Sequence, residues 1–125
     1  MQNDQDESVT QRDLRDRTKV FALDAIQLVE GLPRTRTGDV IGRQLLRSST
    51  SVAANYRSAC RARSRREFIA KMGIVLEEAD ESLFWLEVVE ERDMGRSEGV
   101  RLLRAEADEL VAIVVSSIQT ARGRR

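Results

Sequence analysis

Leu14, Thr18, Phe21, Ala25, Leu28 and Leu32 recur in alternating steps of three and four, the spacing of one helix face. Thr10 and Asp13 stand at capping-box-like spacing and predict a start near Thr10. Gly31 and Pro33 predict the stop, since glycine accepts a left-handed cap and proline disfavours helix at the residue before it. The segment RTRTGD then reads as a turn, with Thr37 or Asp39 available as the next N-cap. A second stripe follows: Ile41, Leu45, Ser48 or Ser49, Val52, Tyr56 and Ala59. It is thin in large side chains, which permits close helix approach, and it leaves Asn55 beside the apolar positions. There the amide must find partners and is expected to fix register.

Ser64 and Glu67 form an S-x-x-E capping box, so a third helix begins there. Its expected core is Phe68, Met72, Val75, Leu76, Ala79, Leu83, Leu86 and Val89 or Glu90, with Gly95 as the C-cap. Ser97 is the expected cap of a fourth helix carrying Val100, Leu103, Ala107, Leu110, Val114, Ile118 and Ala121 at heptad-like spacing. Four helices with short connections and no strand-like alternation predict an all-α, up-down-up-down antiparallel four-helix bundle. It is expected over residues 10–122, between polar tails at 1–9 and 123–125.

Two segments break the one-stripe rule for a bundle helix. SLFWLEVV (82–89) and LVAIVV (110–115) are apolar nearly all round. A monomer that left Phe84, Trp85, Val88, Val111 and Val115 wet would expose a large apolar patch. These five are therefore the expected interface of a homo-oligomer, for which a closed symmetric ring is the usual form. Cover by loops or termini is the plainer alternative.

Charge adds a second asymmetry. The chain has 21 basic and 21 acidic residues and no net charge, so nucleic-acid binding has to be argued from local distribution. Between Arg43 and Lys71 stand eight basic residues and one acid, and between Glu77 and Asp93 eight acids and one base. Arg57 and Arg61 suit the negative end of the second helix, and Arg43 and Arg47 would lie near Glu87, Glu90 and Glu91 in a hairpin. Arg65 and Arg66 crowd the positive N-terminus of the third helix, while Glu90, Glu91 and Asp93 crowd its negative end. Ion pairing between subunits is one explanation. Phosphate binding through Arg57, Arg61, Arg63, Arg65, Arg66 and Lys71 is the other. No aromatic residues interleave with these to stack on single-stranded bases. Nineteen of the 21 basic residues are arginine, which a G+C-rich genome explains as readily as selection for bidentate contacts.

The absent residue types narrow the chemistry. With no histidine, neither imidazole acid–base catalysis nor the Glu-x-x-His ligands of di-iron bundles can be built. Glu77, Glu78, Asp80 and Glu81 form a carboxylate cluster, read as an ion-paired or solvated face, with a metal site at Glu77, Glu78 and Glu81 as the outlying alternative. Cys60 stands alone, without an activating base, and fits a reducing compartment. No glycine-rich phosphate loop is present. The expectation is a non-enzyme with no catalytic residues, cofactor, metal or small-molecule substrate. Without an apolar run of membrane-spanning length or an ordinary signal peptide, it is expected in the cytoplasm, away from membranes.

Arg47-Ser48, Ser51-Val52, Ala54-Asn55-Tyr56, Ala62-Arg63-Ser64, Glu67-Phe68, Lys71, Glu78-Ala79-Asp80-Glu81 and Trp85-Leu86 carry a resemblance. Together they resemble the bacterial four-helix-bundle proteins related to those encoded in intervening sequences of large-subunit ribosomal RNA genes. Ser49 stands where that family usually has glycine. The resemblance implies a closed bundle assembling as a homopentamer, without enzymatic activity and without catalytic residues to carry over. A distant relative, the accessory protein of diversity-generating retroelements, is a strongly basic pentamer that binds nucleic acid and a reverse transcriptase; the present chain is neutral. The function expected is a non-catalytic oligomeric scaffold or accessory protein whose arginine corner contacts RNA or DNA. The alternative is a purely protein-binding assembly with those arginines in intersubunit ion pairs.

Overall fold

Three turns, each closed by a different device, set where the chain reverses. The computed structural model describes residues 2–123, with side chains from Asp13 onward. The helices are α1 (Gln2–Glu30), α2 (Arg36–Cys60), α3 (Arg65–Glu91) and α4 (Ser97–Gly123). The helix start expected near Thr10 falls instead at Gln2, while the side chains of residues 1–12 and the residues Arg124 and Arg125 lie outside the described ones.

At the first turn Thr35, rather than Thr37 or Asp39, is the N-cap of α2, its Oγ1 accepting from the Gly38 amide at 3.0 Å. Asp39 instead sits in the first turn, where its charge favours the helix N-terminus. Gly38 is needed for space, because a Cβ there would collide with the Pro33 carbonyl. Gly31 does not take the left-handed conformation expected of it; no described glycine does.

The turn after α3 holds the one left-handed non-glycine residue among those described, Asp93 (φ 55°). The Met94 amide reaches Val89 O at 3.0 Å and the Asp93 amide reaches Glu90 O at 3.1 Å. This is a Schellman closure, with Met94 packed on the apolar cluster that includes Val89. The cap thus falls two residues before Gly95, and Ser97 is the first residue of α4 rather than its cap.

The helices pack as a square: α2 on α3, α3 on α4 and α1 on α2, with a sparser seam between α1 and α4 and, among the described residues, no close approach across the diagonals. All seven expected α4 positions are buried, and Ser48 and Ser49 both belong to the α2 stripe. Phe21, Leu45, Tyr56, Met72, Leu86 and Leu110 are the largest fully buried side chains. Across the α2–α3 seam the Ser48 and Ser82 hydroxyls hydrogen-bond at 2.9 Å, both fully buried. This pair, not Asn55, links the helices: Asn55 Nδ2 donates to Ser51 O of its own helix at 2.8 Å. Closing the sparse seam, the Arg17 guanidinium forks onto Glu106 (2.7 and 3.0 Å) and reaches Glu109 at 3.1 Å, which raises its pKa further.

A left-handed aspartate at a helix end that already disfavours negative charge is a local cost. Asp93→Gly is expected to raise the free energy of unfolding by roughly 0.5–1 kcal/mol in urea denaturation, after glycine's own entropy cost. A decrease would show that the aspartate side chain, not the backbone, holds this turn.

Candidate functional site

The α2–α3 corner is built by two consecutive caps. Past Cys60 the Arg61 amide reaches Ser58 O and the Ala62 amide reaches Ala59 O, both at 3.0 Å. Ser64 then starts α3, its Oγ accepting from the Glu67 amide at 3.0 Å while Glu67 Oε1 accepts from the Arg63 amide at 3.1 Å. This is the expected capping box, with the reciprocal bond reaching one residue further back. Four residues, 61–64, therefore connect the helices with their backbone tied at both ends.

Arg57, Arg61, Arg63, Arg65 and Arg66 project from this tied corner and are all exposed. None makes an ion pair with an acid among the described residues. Glu67, the one acid nearby in the chain, is occupied by the cap. Lys71 lies further along α3, half-buried, and its ammonium donates to Ser58 Oγ at 2.9 Å, so it braces the hairpin. The topology also brings the end of α4, with Arg122 in its last turn, to the same end of the bundle. Residue spacing alone did not suggest Arg122; connectivity does, because the last helix of an up-down bundle ends beside the second turn.

The acidic segment is partly spoken for. Arg47 reaches Glu78 at 3.2 Å and Glu81 at 2.6 Å, not the Glu87, Glu90 and Glu91 group expected. The face of α3 explains this, since Glu78 and Glu81 are half-buried beside α2 whereas Glu87 and Glu91 are exposed. Glu90 pairs instead with Arg104 of α4 at 2.6 Å. Glu81 also accepts from the Trp85 indole at 3.1 Å. Among the described residues no three His, Cys, Asp or Glu side chains gather as a metal-ligand set. Tyr56 is buried, and burial pushes its phenol well above the ordinary value, so it stays neutral.

Of the five expected interface residues, Phe84 is the most exposed, at 52%. It stands edge-on to Trp85, ring centroids 4.9 Å apart. Trp85, Val88 and Val111 are half-buried against the protomer's own core, and Val115 is half-buried too. The wet apolar surface is therefore smaller than the sequence pattern implies. Val20, Leu23, Val40, Leu46, Ile74 and Leu102 add to it. A shallow cleft between α1 and α2, at the end opposite the corner, is lined by Val29, Leu32, Gly42, Arg43 and Leu46 among others. Among the described residues no helix is long and apolar enough to cross a membrane.

An all-α antiparallel four-helix bundle with a capped, arginine-rich corner defines a class of small helical protein. Within that class the chain belongs to the 23S rRNA-intervening sequence protein family, whose model it matches over residues 11–116. It is similar to a crystal structure of a protein of unknown function from the S23 ribosomal protein family of Bacteroides thetaiotaomicron. The two share 32% identity and a TM-score of 0.77, covering 84% of this chain and 97% of the other. No curated protein matches the chain.

The Arg47 hydrogen bond, and then that from Trp85, hold the Glu81 carboxyl below its ordinary value of 4.5. A lowered carboxyl contributes stability that is full above the unfolded value and is lost as pH falls through the folded value. The wild type's margin in melting temperature over Glu81→Gln should therefore be full near about pH 6 and shrink below about pH 4.5. Emission from Trp85, the only tryptophan, should titrate over the same window. A margin unchanged with pH would show that the Glu81 contacts do not persist in solution.

Proposed function

We propose that this chain is a non-catalytic, homo-oligomeric scaffold or accessory protein of the cytoplasm, whose α2–α3 corner contacts RNA or DNA. The observation that carries the reading is the set of five exposed arginines on a backbone-tied corner, without acid partners among the described residues. A guanidinium stays charged at any physiological pH and presents a planar fork that matches a phosphate. Several such forks on one fixed turn suit a polyanion. No exposed aromatic stands at the corner, so the contact is with backbone phosphates rather than stacked bases. The family description refers to 23S rRNA, which makes structured RNA the first probe to use. A ring of five copies, the assembly implied by the family resemblance, would present five corners and multiply a weak contact through effective concentration.

The second reading, arginines in ion pairs between subunits, draws on the exposed Glu77, Asp80, Glu87 and Glu91 of α3, which have no ion-pair partner among the described residues. One variant separates the two. With Arg57, Arg61, Arg63 and Arg65 changed to Ala, a labelled RNA hairpin should bind at least tenfold more weakly. The slope of log affinity against log salt should fall by about 0.7–0.9 for each phosphate no longer neutralised, while the particle mass stays unchanged. Loss of the oligomer with the same substitutions would favour the second reading, and unchanged RNA binding would overturn the first.

A further inference from the structure

The outer faces of α2 and α3 carry opposite charge, and the packing register of the hairpin shows which parts of them can meet. Arg36, Val40, Arg43, Arg47, Thr50, Ala54, Arg57 and Arg61 follow one another at three- and four-residue steps along α2, exposed except for the half-buried Thr50. Phe84, Glu87 and Glu91 do the same along the second half of α3. Within the protomer Ser48 stands level with Ser82 and Ser58 level with Lys71. Following that antiparallel register toward the α1–α2 end, Leu46 is level with Phe84 and Arg43 with Glu87, while Arg36 falls within a turn of Glu91. Toward the corner, Arg57 and Arg61 are level with Gly73 and Ile69, where the nearest acids of α3 are Glu67, held by the cap, and Glu77, about one turn away.

From this we infer that the α1–α2 end of one copy's α2 face docks a second copy through the Phe84–Glu91 face of its α3. The inference rests on the homo-oligomer reading and names its contact. The two surfaces differ, so repeating the contact gives a ring, or a two-fold pair in which it is made twice. Rotation about an axis along the bundle keeps every residue at its own height, so the levels read within one protomer also hold between copies. Turning a copy end over end would instead lay basic α2 on basic α2. At equal height Phe84 meets the cleft between α1 and α2, whose wall includes the 37%-exposed Leu46. Glu87 meets Arg43, and Glu91 approaches Arg36. None of these four charged residues has an ion-pair partner within the protomer among the described residues. An aromatic knob supplies area and the flanking pairs supply register. The contact also leaves the corner free, because the Phe84–Glu91 face does not extend to the height of Arg57 and Arg61.

Sedimentation velocity with Arg43→Glu, Glu87→Arg, Phe84→Ala and the Arg43→Glu/Glu87→Arg double variant tests this, with circular dichroism to check that each is helical. The wild type should sediment as a multiple of 14.2 kDa. Each single reversal and Phe84→Ala should shift it to, or largely toward, the monomer, and the double variant should restore the wild-type mass. An oligomer indifferent to the single reversals, or folded singles that the double fails to rescue, would overturn the proposed contact while leaving the homo-oligomer reading intact. A wild type that is monomeric at about 100 μM, well above the range of specific complexes, would overturn both.

Discussion

The close approach of α2 and α3 is the constraint on which the rest of this structure depends. Small residues line the seam, and its centre is a pair of fully buried hydroxyls, Ser48 and Ser82, 2.9 Å apart. A buried hydrogen bond contributes about 0.5–1.5 kcal/mol net, so sliding one helix against the other, which forfeits it, is penalised. Each serine is also tied to its own helix, Ser48 at 3.3 Å from Leu45 O and Ser82 at 2.8 Å from Glu78 O. The pair therefore sets where Arg47 finds Glu78 and Glu81, where Lys71 finds Ser58, and how far the capped corner stands from the core.

The other seams tolerate more. Between α3 and α4, large side chains interdigitate and Glu90–Arg104 lies at the edge. Between α1 and α4 the packing is sparsest, and the Arg17 fork spans what apolar contact does not. Bidentate geometry is the circumstance in which a part-exposed ion pair contributes most. This gradation, tight at α2–α3 and loose at α1–α4, puts the rigid face of the bundle beneath the arginine corner. It leaves exposed apolar residues such as Leu23 and Leu102 on the helices of the loose side.

The fold was legible because helix periodicity and capping chemistry are local. The stripes of α2 and α4 and the Ser64–Glu67 box could be read from spacing alone. What was misread depended on geometry that spacing does not carry. Thr35, Thr37 and Asp39 are all competent N-caps, and only the backbone path past Pro33 selects Thr35. Gly95 is the residue that ordinarily takes a left-handed cap, yet the Schellman closure places Asp93 there. Asn55 was the more conspicuous polar residue beside the stripe, yet it is half-buried and bonds within its own helix, whereas the bond across the seam comes from two serines distant in sequence. The five arginines of the corner were visible as a run; that they lack partners required knowing that Arg47, not they, occupies Glu78 and Glu81. Trp85, Val88 and Val111, expected at a contact between copies, are half-buried against their own bundle, since a helix with two packed neighbours needs a wider stripe than a helix with one.

Equilibrium unfolding of Ser82→Leu probes the seam itself. The substitution adds apolar surface that would contribute about 1.5–3 kcal/mol if there were room to bury it. With the seam as tight as described, it should instead lower the free energy of unfolding by about 1–3 kcal/mol through overpacking, with the m-value unchanged. A Ser82→Leu protein as stable as the wild type, or more so, would contradict this picture, since α2 and α3 would then have space to spare and their register would owe nothing to the serine pair.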